Sequence, residues 1–150
     1  MKIKFLCPRW GSENIDWEIF LSDVKNAGYA GIEWFPPSEN VNPHDVLKLL
    51  HKYQLELAIV MTVPQHYAVF DDYLMALVGH LNEMADLKYD SLQPMHISAQ
   101  TGREYFTGEQ ISDCLAICKM ISMRTGVPIY QETHRNKWAY AAHVVYPILQ

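Results

Sequence analysis

Short β-rich runs alternate with longer amphipathic stretches along the whole chain, and the carboxyl ends of the runs recur at a nearly constant interval. Ends at Glu33, Thr62, His96 and Glu132 lie about 30 to 36 residues apart, the length of one strand–helix unit. A chain built this way buries its strands by covering a parallel sheet with helices. Five units follow from the pattern. Strand Lys2–Leu6 precedes a helix at Ile15–Asn26 that ends before Gly28 and carries Trp17, Phe20, Leu21 and Val24 on one face. Strand Tyr29–Phe35 stops at Pro36-Pro37, and a helix capped by Asn42 with Pro43 in its first turn runs to about Tyr53. Strand Leu55–Thr62 leads to a helix at Phe70–Ala85, with Leu74, Leu77, Val78 and Leu81 at helical spacing. Strand Ser91–Ile97 precedes a helix at about Gly108–Arg124, opened by a capping box of Thr107 and Gln110. Strand Val127–Glu132 is followed by a last helix expected near Trp138 and broken at Pro147.

At 150 residues the chain is expected to form a single α/β domain spanning 1–150. Two architectures accommodate five parallel units. A flavodoxin-like sheet suits the length, but its first loop normally cradles phosphate, and Cys7-Pro8-Arg9-Trp10-Gly11-Ser12 has no such glycine pattern. The rival is a partial TIM barrel, about five of the eight units such a barrel contains.

The placement of the polar residues favours the barrel. In a parallel barrel one parity of each strand faces the helices and the other faces the axis. Met95 and Ile97 share one parity, and His96, Ser98 and Gln100 share the other. Val127 and Ile129 likewise alternate with Tyr130, Glu132 and His134, and Ile32 and Trp34 with Glu33. The polar set therefore gathers toward the axis at the carboxyl ends, where barrel active sites lie. Glu132 is the sharpest of these signals, because a carboxylate turned inward is costly unless it is paired or metal-bound. A plain ion pair with Arg135 or Lys137 is one account of it; a site shared with His134, Glu33 and His96 is the other. His96 alone reads more readily as a hydrogen-bonded core histidine than as a ligand, and His66 as a ligand, a substrate contact or a polar loop residue. Trp10, Trp34 and Phe35 could wall a sugar face or simply fill core. His44, His51, His80 and His143 fall on helices and are expected at the surface.

Composition narrows the classes further. The chain is 49% hydrophobic and 19% charged, with a formal charge of −5, so it carries no cationic run for nonspecific nucleic-acid binding. No window approaches the roughly 20 apolar residues of a membrane span, and the N-terminus has no signal-peptide pattern. Cys114 and Cys118, four apart on a helix, are expected to pack rather than bridge, and a cytoplasmic setting is the default.

Tyr29-Ala-Gly-Ile-Glu33-Trp, Thr101-Gly-Arg-Glu-Tyr-Phe106 and Gln131-Glu-Thr-His-Arg-Asn136 resemble the xylose-isomerase-like TIM barrels, the superfamily of sugar and sugar-phosphate isomerases and epimerases. The resemblance runs through the chain in order and covers the first five of the family's eight units. It implies that Glu132 is a divalent-metal ligand and acid/base group, with His134 as a catalytic partner. Trp10, Glu33, His66, His96, Gln100 and Arg135 are then expected to contact a sugar or sugar phosphate. Oxygen ligands suit Mn or Mg, and added imidazole admits Zn or Co. The family's other ligands lie on strands six to eight, so the resemblance leaves open whether this chain holds a metal and whether it is an active enzyme.

Two alternatives stand beside an isomerase or epimerase. A noncatalytic half-barrel would bind a small ligand or associate with itself, since its open strand edges and uncovered face seek partners, making a homo-oligomer the expected state. An abasic-site endonuclease shares the fold, but it needs a His-rich multi-zinc site and a phosphate-binding face. The net charge and Gln100 argue against that.

Overall fold

The computed structural model describes residues 3–64 and 66–148. Its strands are β1 (Leu6–Pro8), β2 (Gly31–Trp34), β3 (Glu56–Thr62), β4 (His96–Gln100) and β5 (Ile129–Gln131). The helices are α1 (Trp17–Asn26), α2 (Pro43–Tyr53), α3 (Phe70–Ala85), α4 (Gly108–Thr125) and the short α5 (Ala142–Val145), with 3-10 turns at Pro36–Ser38 and Tyr146–Ile148. The strands form one sheet in the order β1-β2-β3-β4-β5, every neighbouring pair parallel. A flavodoxin-like sheet reverses direction and runs 2-1-3-4-5. An unbroken sequential order with crossovers of one hand instead puts all the helices on one face, which is the construction of a barrel. The fold is α/β and resembles a partial TIM barrel.

The helix-facing side of the sheet carries the core. Ile32, Trp34, Leu57, Ile59, Met61, Ile97 and Ala99 pack with Phe20, Leu21 and Val24 of α1, Val46, Leu47 and Leu50 of α2, Tyr73, Leu77 and Leu81 of α3, and Cys114, Cys118 and Ile121 of α4. Side-chain caps open α1, α2 and α4. The Asp16 carboxylate accepts from the Glu18 and Ile19 amides to start α1, and Asn42 accepts from His44 with Pro43 behind it. The Thr107–Gln110 capping box opens α4. Cys114 and Cys118 are free thiols in the core, and burial pushes them up to about 12 and about 11. Among the described residues no helix is long and apolar enough to cross a membrane.

Three expected boundaries move. The first strand is not Lys2–Leu6: Lys2 lies outside the described residues, and Ile3 and Phe5 are 65% and 70% exposed. Pairing begins at Leu6 opposite Gly31. There β2 comes so close to β3 that a Cβ on Gly31 would lie 2.2 Å from the Glu56 carbonyl oxygen, so this position of the ladder requires glycine. The fourth strand is His96–Gln100 rather than Ser91–Ile97; residues 89–92 are taken up by a small turn with reciprocal Tyr89–Leu92 backbone bonds. The last helix does not start at Trp138. That indole is buried against Ile111 and Ala139, and α5 begins only at Ala142.

Candidate functional site

The register puts three rows of side chains on the face away from the helices. Glu33 of β2 is level with Ala58 of β3 and His96 of β4; Val60 is level with Ser98 and Tyr130; Thr62 is level with Gln100. The Glu132 amide continues the ladder just past β5, donating to the Ala99 carbonyl at 3.1 Å, so Glu132 completes the third row at the carboxyl rim. On β3 this face is apolar, with Ala58 and Val60 buried. The carboxyls lie in the outer rows, Glu33 in one and Glu132 in the other.

At the rim Gln100 Nε2 donates to Glu132 Oε1 at 3.2 Å. The expected alternative, an ion pair of Glu132 with Arg135 or Lys137, does not form: Lys137 Nζ donates instead to Thr62 Oγ1 at 2.6 Å, and Arg135 is exposed. Glu33 is half-buried. Burial first, and then the negative charge of Glu132, raise its carboxyl above the usual carboxylate range. Their register rows differ, yet the charge of Glu132 reaches Glu33. Two carboxyls thus share one electrostatic environment, and the Gln100 amide is directed at one of them.

The other expected residues are more dispersed. His96 is the first residue of β4, about 13 Å of strand below Gln100 at 3.3 Å per residue; this follows from the shift of the strand. Its ring is tilted against Tyr130, with centroids 5.6 Å apart, and burial lowers its pKa. His134 lies beyond β5 in an exposed turn, its Nδ1 2.7 Å from the Arg135 carbonyl oxygen. Trp10 is exposed in the loop after β1. His66 is exposed and stacks on Tyr67 at 4.3 Å. Trp34 faces the helices, where it meets Trp17 edge-on and its Nε1 donates to Glu39. The chain therefore gathers Glu33, Gln100 and Glu132, and leaves Trp10, His66, His134 and Arg135 around the rim.

Thr62, Arg103 and Lys137 also belong to this rim, although the sequence singled out none of them as a site residue. The turn in which the Lys137 amide donates to the His134 carbonyl, with Asn136 at φ +64°, turns the chain so that His134 and Arg135 face out while Lys137 goes in. Lys137 is 4% exposed, and burial, with Arg103 nearby, pulls its amine down to about 8. Arg103, also 4% exposed, ties the loops after β3 and β4 together through the carbonyls of Val63, Pro64 and Gly102. It also lies over the Tyr73 ring at 4.9 Å. A lysine in a polar Asn-Lys turn reads as a surface residue; only its 75-residue reach to Thr62 reveals otherwise.

No family model matches the chain. No curated protein matches it either. Among solved structures, the phosphoribosyl anthranilate isomerase from Thermococcus kodakaraensis is similar, with a TM-score of 0.47 and 13% sequence identity over 89% of this chain and 70% of that one.

Proposed function

We propose that the rim transfers protons next to the carbonyl of a sugar or sugar phosphate, in the manner of the isomerases and epimerases among the xylose-isomerase-like barrels. The observation that carries this reading is the pair Glu33 and Glu132. Isomerisation requires a base to take the proton beside a carbonyl and an acid to protonate the resulting enediolate oxygen. Two carboxyls whose surroundings set their proton affinities apart can divide those roles. Glu33 holds its proton to higher pH than an ordinary glutamic acid, which suits the acid. Glu132 accepts the Gln100 amide, which orients the base.

The resemblance brings a divalent metal with it. Glu132 and Glu33 would offer oxygen donors, but among the described residues no three His, Cys, Asp or Glu side chains come together as a ligand set. These residues do not make a complete metal site, and no step here depends on one.

The test is deuterium wash-in. The chain is incubated in D2O with a panel of aldoses, ketoses and their phosphates, with and without Mn2+ or Mg2+, and exchange at the carbon beside the carbonyl is followed by proton NMR. Exchange that falls by about 10² or more in Glu132→Gln supports the reading, in line with the usual weight of a general base. Exchange in no arm, or exchange indifferent to that substitution, overturns it.

A second reading rests on the strand edges. Among the described residues β1 pairs only with β2, and β5 only with β4, while Tyr130 on β5 is 59% exposed. A second copy is the partner we assign to these edges. Size-exclusion chromatography with light scattering should give a dimer or larger; a monodisperse monomer removes this reading.

A further inference from the structure

Beside Glu132 the rim holds two positive charges, Arg103 and Lys137, and among the described residues neither forms an ion pair. Arg103 and Lys137 are each 4% exposed, and they anchor to consecutive stretches of one strand end: Lys137 to the Thr62 hydroxyl, Arg103 to the Val63 and Pro64 carbonyls. All the hydrogen-bond acceptors of both are neutral oxygens. Among the described residues no carboxylate lies within ion-pair distance of either. By contrast, the chain's other buried cation, Arg9, faces Glu39 at 2.9 Å. Lys137 has three N–H donors and, among the described residues, one acceptor, Thr62 Oγ1. A buried cation without a counter-charge is expensive, and two side by side repel each other.

The geometry points to an oxyanion site between Arg103 and Lys137, made to take the phosphate or carboxylate group of a small-molecule ligand. A cleft of about 200 Å³ lined by Arg103, Glu104, Tyr105 and Asn136 opens beside it, and Asn136 immediately precedes Lys137. Glu104 is the one acid on that cleft; it is exposed and pairs with neither cation. An incoming oxyanion would complete the donors of Lys137 and supply the missing charge. Thr62 is level with Gln100, whose amide holds Glu132, so an anion bound here would fix one end of a ligand whose other end reaches the carboxyl pair. This inference deepens the proton-transfer reading, and the substrate class it names, an anionic sugar, rests on that reading.

Inorganic phosphate is the probe. Its binding to the 150-residue chain is measured by 31P NMR line broadening and by calorimetry, against chloride at equal ionic strength, with acetate as a second arm to separate phosphate from carboxylate preference. Saturable binding that weakens at least tenfold in Lys137→Met supports the site, and Lys137→Gln is the second variant should the first fail to fold. A ketose phosphate should displace the inorganic ion while the free ketose does not. Neither ion binding saturably, or binding unchanged in both variants, overturns the site. Glu132→Gln should leave phosphate binding intact: loss of exchange with retained binding counts against the carboxyl pair alone, and Glu132-dependent exchange without phosphate binding counts against the oxyanion site alone.

Discussion

Gln100 and Glu132 sit side by side on adjacent parallel strands, and the amide of one reaches the carboxylate of the other at 3.2 Å. The carboxylate's charge acts in turn on Glu33, so a bond between two strands adjusts a third.

Replacing Glu132 with Gln removes that charge and leaves burial in place. The Glu33 carboxyl, followed by carbon-detected NMR titration, should therefore titrate lower than in the parent while staying above an ordinary glutamic acid. The sign for stability follows from proton counting. A carboxyl with a raised folded pKa binds more protons folded than unfolded in the window between its two pKa values. Stability should thus rise as pH falls through the folded value, and this increment should be smaller in Glu132→Gln. An unchanged Glu33 titration would show that the two groups do not communicate.

Lys137 gives the opposite window. Its folded amine titrates at about 8, against about 10.4 for an unfolded lysine, so between those values the unfolded chain holds the extra proton. Stability should rise as pH climbs from about 8 to 10, by roughly 1 to 3 kcal/mol at most. Urea melts at a series of pH values should show the rise in the parent and its absence in Lys137→Met.

Gly31→Ala puts a methyl group 2.2 Å from the Glu56 carbonyl oxygen, against three atoms of the Glu56 backbone that cannot turn aside as a side chain would. A loss of about 3 kcal/mol or more is expected from such overpacking, read as a lowered midpoint by circular dichroism.

Glu39→Ala strands Arg9. That guanidinium is 2% exposed, pairs with Glu39 at 2.9 Å and lies 4.2 Å over the Trp17 ring. Removing the carboxylate paired with it leaves a buried charge uncompensated, at a cost of about 3 to 5 kcal/mol; Glu39→Gln, which keeps the hydrogen-bond acceptor, should cost less. Equal midpoints for Glu39→Ala and the parent would contradict a paired Arg9.

What the sequence made legible follows from how local each signal is. Asn42-Pro43 and the Thr107–Gln110 box act within one turn, and both caps form as expected. The alternation of Ile97 with His96, Ser98 and Gln100 is likewise a local period, and it assigned the faces of β4. The misplaced ends came from elsewhere. Ile3 and Phe5 alternate as a strand would, yet the ladder starts only at Leu6, where Gly31 of the distant β2 offers a partner. Of the rim, Glu132, Gln100 and Glu33 were readable because strand parity carries them; Lys137 and Arg103 were not, since turns after the strands decide their direction.

The bond from Lys137 to Thr62 spans 75 residues, while each strand pairs only with its neighbour in sequence. Neighbour pairing lets units be added one after another at modest loop-closure cost, but the Lys137–Thr62 tie must wait until β4 and β5 have both docked. The rim is thus expected to form last in folding and to open first when the fifth unit frays, and amide exchange around Thr62 would time both events.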